Sequence, residues 1–401
     1  MSLRASFLAG LSLLITIAAG CSTGPTVADE GEEMEEEEPG QTEDPLSAPA
    51  ATGPLRFDDA CRAGTKVTIA AVGDVLLHGP LQKQAYASPE GFSSLWKNVQ
   101  LLFARTDLSY ANLEGPCADG HTVSGTARDP GLVFDGKVYS SYPQFNYHPS
   151  LKSAGFDVLS TANNHALDRR GRGADRTIEN LVSAGMPFTG TRSTANMEAP
   201  WHTMTEANGV KIAWLACTFS TNGIPDPKNQ VLSCYEDRAT MLSAISALRN
   251  QPGVDAVIVT PHWGVEYAHT PSAPEKKLAR DMLDAGATAV LGGHPHVVQP
   301  WEKYKTTDGR EGFVIYSLGN FVSGQNGLAK RSALVLYLGL TKGADGKVTI
   351  NGVRHAPIQM NPSPWTATYA KGESLELTTR ILGVWNRIGP DEDLVTNPEC
   401  Q

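Results

Sequence analysis

Five times along this chain a short apolar run ends on a side chain able to bind a metal ion. Residues 67–72 run into Gly73-Asp74. Residues 108–112 run into Leu113-Glu114. Residues 157–161 lead to Asn163-Asn164-His165 and then Asp168. Residues 254–260 lead to Pro261-His262, with Glu266 four positions on. Residues 289–291 lead to Gly292-Gly293-His294-Pro295-His296. Among these strands, and before a further strand at 313–317, helical patterns occupy residues 92–103, 149–154, 174–184, 237–249 and 273–285, two of them stopped by Gly185 and Gly286. Residues 210–216 read as one more strand. Strand and helix in alternation predict an α/β layer structure with right-handed crossovers. The near-continuous apolar run at 254–260 predicts a sheet covered on both faces. Binding groups in such sheets gather just past the carboxyl ends of the strands. One His at a strand end is ordinary. Asp, Glu, Asn-His, His and His-x-His at five successive ends predict a shared site.

The residue types say what that site holds. Imidazole and carboxylate without thiolate suit manganese, iron or zinc. His294 and His296, two apart on an extended segment, point the same way, and Gly292-Gly293 permits close backbone approach. Glu114 has two oxygens and so is able to bridge two cations. Asn164 offers only a neutral carbonyl oxygen, which leaves His165 to act as an acid or donor. Asp168 either orients His165 or caps the following helix. Asn112 and Asn163 are placed to touch the ligands or a substrate. Glu266 is a substrate contact, a proton carrier or a solvated residue. Asn320, in Ser317-Leu318-Gly319-Asn320-Phe321, either lines the site or holds a turn. Trp263 and Phe321 read as wall or core. Residues 333–340 and 347–353 read as an antiparallel pair, forming a second sheet or an extended edge.

Taken in order, the segments GD at 73, NLEGP at 112, ANNHALD at 162, PHWGVEY at 261, GGHPHVVQ at 292 and YSLGNF at 316 resemble the CapA-type poly-gamma-glutamate capsule synthesis family. That family is similar to the calcineurin-like metallophosphatases. The resemblance covers residues 66–325. It implies a four-layer α/β/β/α sandwich of the metallo-dependent phosphatase type, with two divalent ions at the sheet edge. Carried over, Asp74 binds the first metal, Glu114 stands where a bridging aspartate would be, and Asn164 and His262 are ligands. His294 and His296 serve one metal each, and His165 assists the leaving group. Two departures stand out. Val75-Leu76 follow Asp74 where a metallophosphatase has Asp-x-His, with His78 a candidate replacement, and Asn112-Leu113-Glu114 replaces Gly-Asp-x-x-Asp. The resemblance implies either a metal-dependent hydrolase of a phosphoester or anionic surface polymer, or a non-catalytic accessory protein in a capsule synthesis or export complex.

The N-terminal region has another character. Arg4, an apolar run at 7–19 too short to span a bilayer, then Ala18-Ala19-Gly20 and Cys21 resemble a bacterial lipoprotein signal, which implies lipidation of Cys21 and a place in the cell envelope, on the outer membrane or cell surface. Residues 22–54 are expected to be an acidic, disordered tether. Residues 1–54 carry a net −9 of the chain's −10, so the domain expected over residues 55–401 is near neutral. With no basic tract, nucleic acid is not an expected partner. Lipidation of Cys21 leaves five cysteines. In an oxidising compartment, Cys217 with Cys234 is the preferred disulfide, and Cys61 with Cys400 would tie the domain's ends. Cys117 is placed to staple the loop after Glu114.

Overall fold

The computed structural model describes residues 48–122, 124–126, 147–390 and 392–400. The expected signal peptide, Cys21, most of the acidic tether and much of the loop at 115–145 lie outside the described residues. The chain packs on the domain from Ala48, which is buried in the core. Ala51 N–H donates to Arg380 O at 2.8 Å.

The chain runs β1 (Thr65–Val75), α1 (Gly79–Ala87), α2 (Leu101–Ala104), β2 (Leu108–Leu113), α3 (Tyr147–Ala154), β3 (Val158–Ser160), α4 (Arg170–Ser183), β4 (Phe188–Thr189), β5 (His202–Ala207) and β6 (Val210–Thr218). It continues through α5 (Arg238–Asn250), β7 (Ala256–His262), α6 (Ala273–Ala285), β8 (Ala289–Leu291), β9 (Trp301–Lys305), β10 (Glu311–Ile315), β11 (Asn320–Val322) and α7 (Leu328–Arg331). Last come β12 (Ser332–Lys342), β13 (Val348–Pro362), β14 (Trp365–Tyr369) and α8 (Gly372–Leu382). One sheet has the order β14-β13-β12-β1-β2-β3-β4, with β11 also paired to β1; the other has β5-β6-β7-β8-β10-β9. β1 to β4 are parallel, as are β6, β7, β8 and β10.

The period-two pleat makes the layers. Val67, Ile69 and Ala71 of β1 share one core with Ile212 and Trp214 of β6 and Ile258 of β7, so this core lies between the sheets. The alternate residues Ala70 and Val72 join Leu81, Phe92, Trp96, Leu151 and Leu181 from the helical side. On the second sheet, Ala213, Leu215 and Val257 join Met241 and Ile245 of α5 and Leu278 and Met282 of α6. The result is helix, sheet, sheet, helix. Tyr110 and Trp214 stack across the middle at 5.5 Å. Each fully buried Val, Leu, Ile or Met side chain among these contributes about 1.5–3 kcal/mol.

Local signals set the element ends. Ser272 and Glu275 form a reciprocal capping box at the start of α6, and Gly286, at φ 130°, ends it. Both disulfides form: Cys217–Cys234 and Cys61–Cys400. Cys117 is buried outside them.

Two expectations change, and one open alternative is settled. Residues 92–103 are not one helix. A 3-10 turn at Gly91–Leu95 and the short α2 flank a run of turns bonded three residues apart, such as Val99 N–H to Trp96 O. The apolar face is kept, with tighter winding. The C-terminal pair forms no second sheet; it is the extended edge of the first, with β14 outermost, then β13, then β12, which pairs antiparallel with β1. The side chains of β12 feed the cores on both faces: Leu334, Leu336 and Leu338 on one, Ala333, Val335 and Tyr337 on the other. Finally, His294 and His296 do not lie on an extended segment; both have positive φ, 95° and 59°.

Candidate metal centre

The centre forms where the carboxyl ends of β1, β2, β7 and β8 meet. The register between β1 and β2 shifts between Ala71 and Asp74, so β1 bends as it delivers Asp74. Asp74 N–H donates to Gly319 O at 3.1 Å. A Cβ on Gly73 would lie 1.8 Å from that oxygen, so glycine alone permits this approach. The fully buried Asp74 carboxylate accepts Asn112 Nδ2 at 2.8 Å and His294 N–H at 3.2 Å, with His296 Nδ1 at 3.3 Å. Burial pushes its pKa up. The hydrogen bond from His296 and the charges of His262 and His296 outweigh that and hold it below the usual range.

Glu114, one residue past β2, is fully buried. Its Oε1 stands 3.5 Å from His262 Nε2, 3.7 Å from His296 Nε2 and 4.0 Å from His165 Nε2. Two sets of ligand atoms, each within 4.8 Å, share it: Glu114 with His294 and His296, and Glu114 with Asp74 and His262. The loop beyond is clamped to α4, where Arg176 takes both oxygens of Asp119 at 2.9 Å and Asn180 Nδ2 donates to Cys117 O.

The remaining residues orient these ligands. Asn112 Nδ2 also lies 3.2 Å from His262 Nδ1. Asn163 donates to Leu113 O at 2.7 Å and accepts His165 N–H at 3.2 Å. Asn164 Oδ1 is 2.8 Å from His262 Nε2. Asn320 Oδ1 is 3.0 Å from His296 Nδ1. With Nδ1 engaged by Asn320 and Asp74, His296 directs Nε2 toward Glu114. His165 Nδ1 is 2.9 Å from Asp168 Oδ2, while α4 has Arg169 at its N-cap position with no side-chain cap bond. Burial lowers the His165 pKa, but the Asp168 hydrogen bond and charge and the Glu114 charge raise it above its ordinary value.

The donor set fits divalent cations. Two fully buried carboxylates favour a positive charge between them. Against the cost of burial, Glu114 and Asp74 raise the His296 pKa to about 9, holding a proton where a cation would compete. His294 is kept neutral by burial and by the facing His262 and His296. Its buried Nδ1 makes no hydrogen bond among the described residues. A neutral imidazole with a free lone pair is the form a metal takes.

Two candidates stand apart. Glu266 is exposed and outside both ligand sets, though its charge helps raise the His296 pKa. His78 is also outside them; its Nδ1 accepts Gly324 N–H at 3.1 Å. The sequence reading missed Phe219, whose ring lies 4.4 Å from that of His294, and Asn222, whose Oδ1 accepts Asn164 Nδ2 at 3.2 Å. The loop between Cys217 and Cys234 was the available signal. It also missed Gln325, which links Asn320 to Tyr267.

Comparison with known proteins follows the same residues. Residues 68–325 match the family described as "Bacterial capsule synthesis protein PGA_cap". The capsule biosynthesis protein CapA of Bacillus anthracis is 31% identical over 290 residues, covering 69% of this chain and 64% of that protein, less than two thirds of its length. The PGA biosynthesis protein CapA of Bacillus subtilis is 28% identical over 311 residues, 77% of this chain and 75% of its own. Among solved structures, the NAD nucleotidase of Haemophilus influenzae aligns with a TM-score of 0.45 and 14% identity over 83% of this chain and 65% of that one. With the family match spanning more than half of its length, the chain belongs to the bacterial capsule synthesis family PGA_cap.

Proposed function

We propose that this protein is a metal-dependent hydrolase of the cell envelope, acting on a phosphoester or on an anionic surface polymer such as poly-gamma-glutamate during capsule synthesis or export. The observation that carries this reading is the place of Glu114 in both ligand sets. Asp74, Glu114, Asn164, His262, His294 and His296 would hold two divalent ions, manganese, iron or zinc. Such ions, when bound, polarise a phosphoryl or carbonyl oxygen and lower the pKa of water toward neutrality. The side chains supply the rest. His165, its ring fixed by Asp168, holds a proton at Nε2 for the leaving oxygen. Asn112 and Asn163 lock the ligands in place. The apolar run at 7–19 and Cys21 support a lipid anchor.

A second reading, a non-catalytic accessory protein that binds or anchors the polymer, draws on one observation. Val75-Leu76 follow Asp74 where a hydrolase of the resembling superfamily carries a His, and His78 lies outside both ligand sets. The two readings separate by assay of the purified protein. Metal content is measured first, then turnover of phosphomonoester, phosphodiester and γ-glutamyl substrates. The hydrolase reading expects turnover that vanishes in the His262→Ala, His296→Ala double variant. Turnover that survives there would sink it, and a wild type that binds no transition metal would sink the two-metal centre itself.

A further inference from the structure

We infer that the loop closed by the Cys217–Cys234 disulfide is a positioning device for the Asn164 corner of the metal centre, and that Asn222 is its contact point. The inference rests on the two-metal reading. An amide side chain has a donor end and an acceptor end. Asn164 commits Nδ2 to Asn222 Oδ1 at 3.2 Å, which turns its Oδ1 inward, 2.8 Å from His262 Nε2. Without Asn222 the Asn164 amide is free to rotate, and a neutral oxygen is the weakest donor of the set.

The loop is built to hold that contact still. Asn222 sits in left-handed backbone, φ 52°, a conformation that asparagine tolerates better than most residues. Its N–H donates to Ser220 Oγ at 2.9 Å, and Thr221 Oγ1 donates to Ile224 O at 2.7 Å. At the base of the loop, beside the disulfide, Thr218 N–H bonds Leu232 O at 2.9 Å, and Cys234 N–H bonds Thr218 O at 2.8 Å. Buried Gln230 ties the loop to α4, the helix after His165, through Gly171 O at 3.3 Å and Asp175 Oδ1 at 3.1 Å. The same loop reaches two more ligands. Phe219 N–H donates to His262 O at 2.9 Å, and the Phe219 ring packs on His294. One covalently closed segment thus touches Asn164 through Asn222, and also His262 and His294, one from each ligand set; among the described residues no hydrogen bond or ring contact joins it to Asp74 or His296. Opening the disulfide removes the tether at its base, which makes the affinity for the ion that Asn164 would hold sensitive to thiol reductants.

The test is calorimetric titration of the purified, chelator-stripped protein with Mn2+ alone. Asn222 is exposed, so its variants should fold. Asn222→Ala is expected to weaken one metal equivalent about 10–100-fold, the range for loss of an outer-sphere partner, and to leave the other unchanged. Asn222→Asp, which keeps an acceptor oxygen, is expected to restore that equivalent. Reduction of a Cys400→Ser protein, in which only the loop disulfide remains among those described, is expected to reproduce the Asn222→Ala pattern. Wild-type binding in Asn222→Ala overturns the inference, as does equal weakening of both equivalents with a lowered melting temperature. A wild type that takes up no metal instead overturns the centre on which the inference stands.

Discussion

The Nδ1 of His165 and the Oδ2 of Asp168 lie 2.9 Å apart, and both side chains are less deeply buried than those of Asp74, Glu114, His262 and His296. This pair sets the charge of His165. Its raised pKa contributes stability that is present below the unfolded value and lost as pH rises through the folded one. Asp168→Asn removes both the hydrogen bond and the charge. The His165 pKa should fall, and the alkaline limb of the pH–rate profile should move to lower pH. NMR titration of the His165 ring checks the first outcome without any assay of activity. An unmoved ring pKa would refute the pairing.

Glu114→Gln keeps the side-chain shape and deletes the negative charge shared by both ligand sets. Metal affinity should drop by more than the roughly 10–100-fold that loss of an outer partner causes, and for both equivalents. In the metal-free protein the His296 pKa should fall from about 9, since Glu114 is its largest raising influence. Metal titration and ring NMR measure the two effects separately.

The layer order and five strand ends were legible in the sequence because central parallel strands bury both faces. They read as apolar runs, and the polar residue that follows stands out. Helix α6 was legible to the residue, since Ser272 and Gly286 mark its ends chemically. Edge strands were not. β9 reads Trp-Glu-Lys-Tyr-Lys, half-buried up to the exposed Lys305, and among the described residues pairs only with β10. The backbone at His294 and His296 was also hidden. Non-glycine residues rarely take positive φ, and here tertiary contacts to Asp74 and Asn320 hold them there. Asn222 was invisible for a related reason, since a loop contact across 58 positions leaves no periodic trace.

Gly293 has little space to change. A Cβ there would lie 2.8 Å from Asp74 Oδ1 and 3.6 Å from His262 Nδ1. Gly293→Ala should displace the carboxylate rather than unfold the chain. Metal affinity is expected to fall by about 10-fold or more, with the melting temperature nearly unchanged. Near-wild-type titration would mean that Asp74 yields without loss of the site.

The Cys61–Cys400 disulfide closes a loop of sequence separation 339. Cross-linking so long a segment restricts the unfolded chain strongly. Cys400→Ser should cost about 2–5 kcal/mol of stability, read as a lower urea midpoint. Both metal equivalents should bind as in wild type, because this bridge lies at the termini. A matched loss of metal affinity would tie the terminal bridge to the centre.

His355 offers a pH prediction away from the metal ligands. It is fully buried, with Trp301 edge-on at 5.4 Å. Burial first, then the charges of Arg387 and Arg354, hold its pKa down to about 3. In the unfolded chain it titrates near 6.5. The unfolded state therefore binds more protons over this window, so the stability that His355 contributes is intact above pH 6.5 and is lost as pH falls toward 3. His355→Leu removes that proton uptake. Urea midpoints measured at pH 7 and pH 4 should differ less in the variant than in the wild type. An equal difference in both would show that other groups set the acid limb.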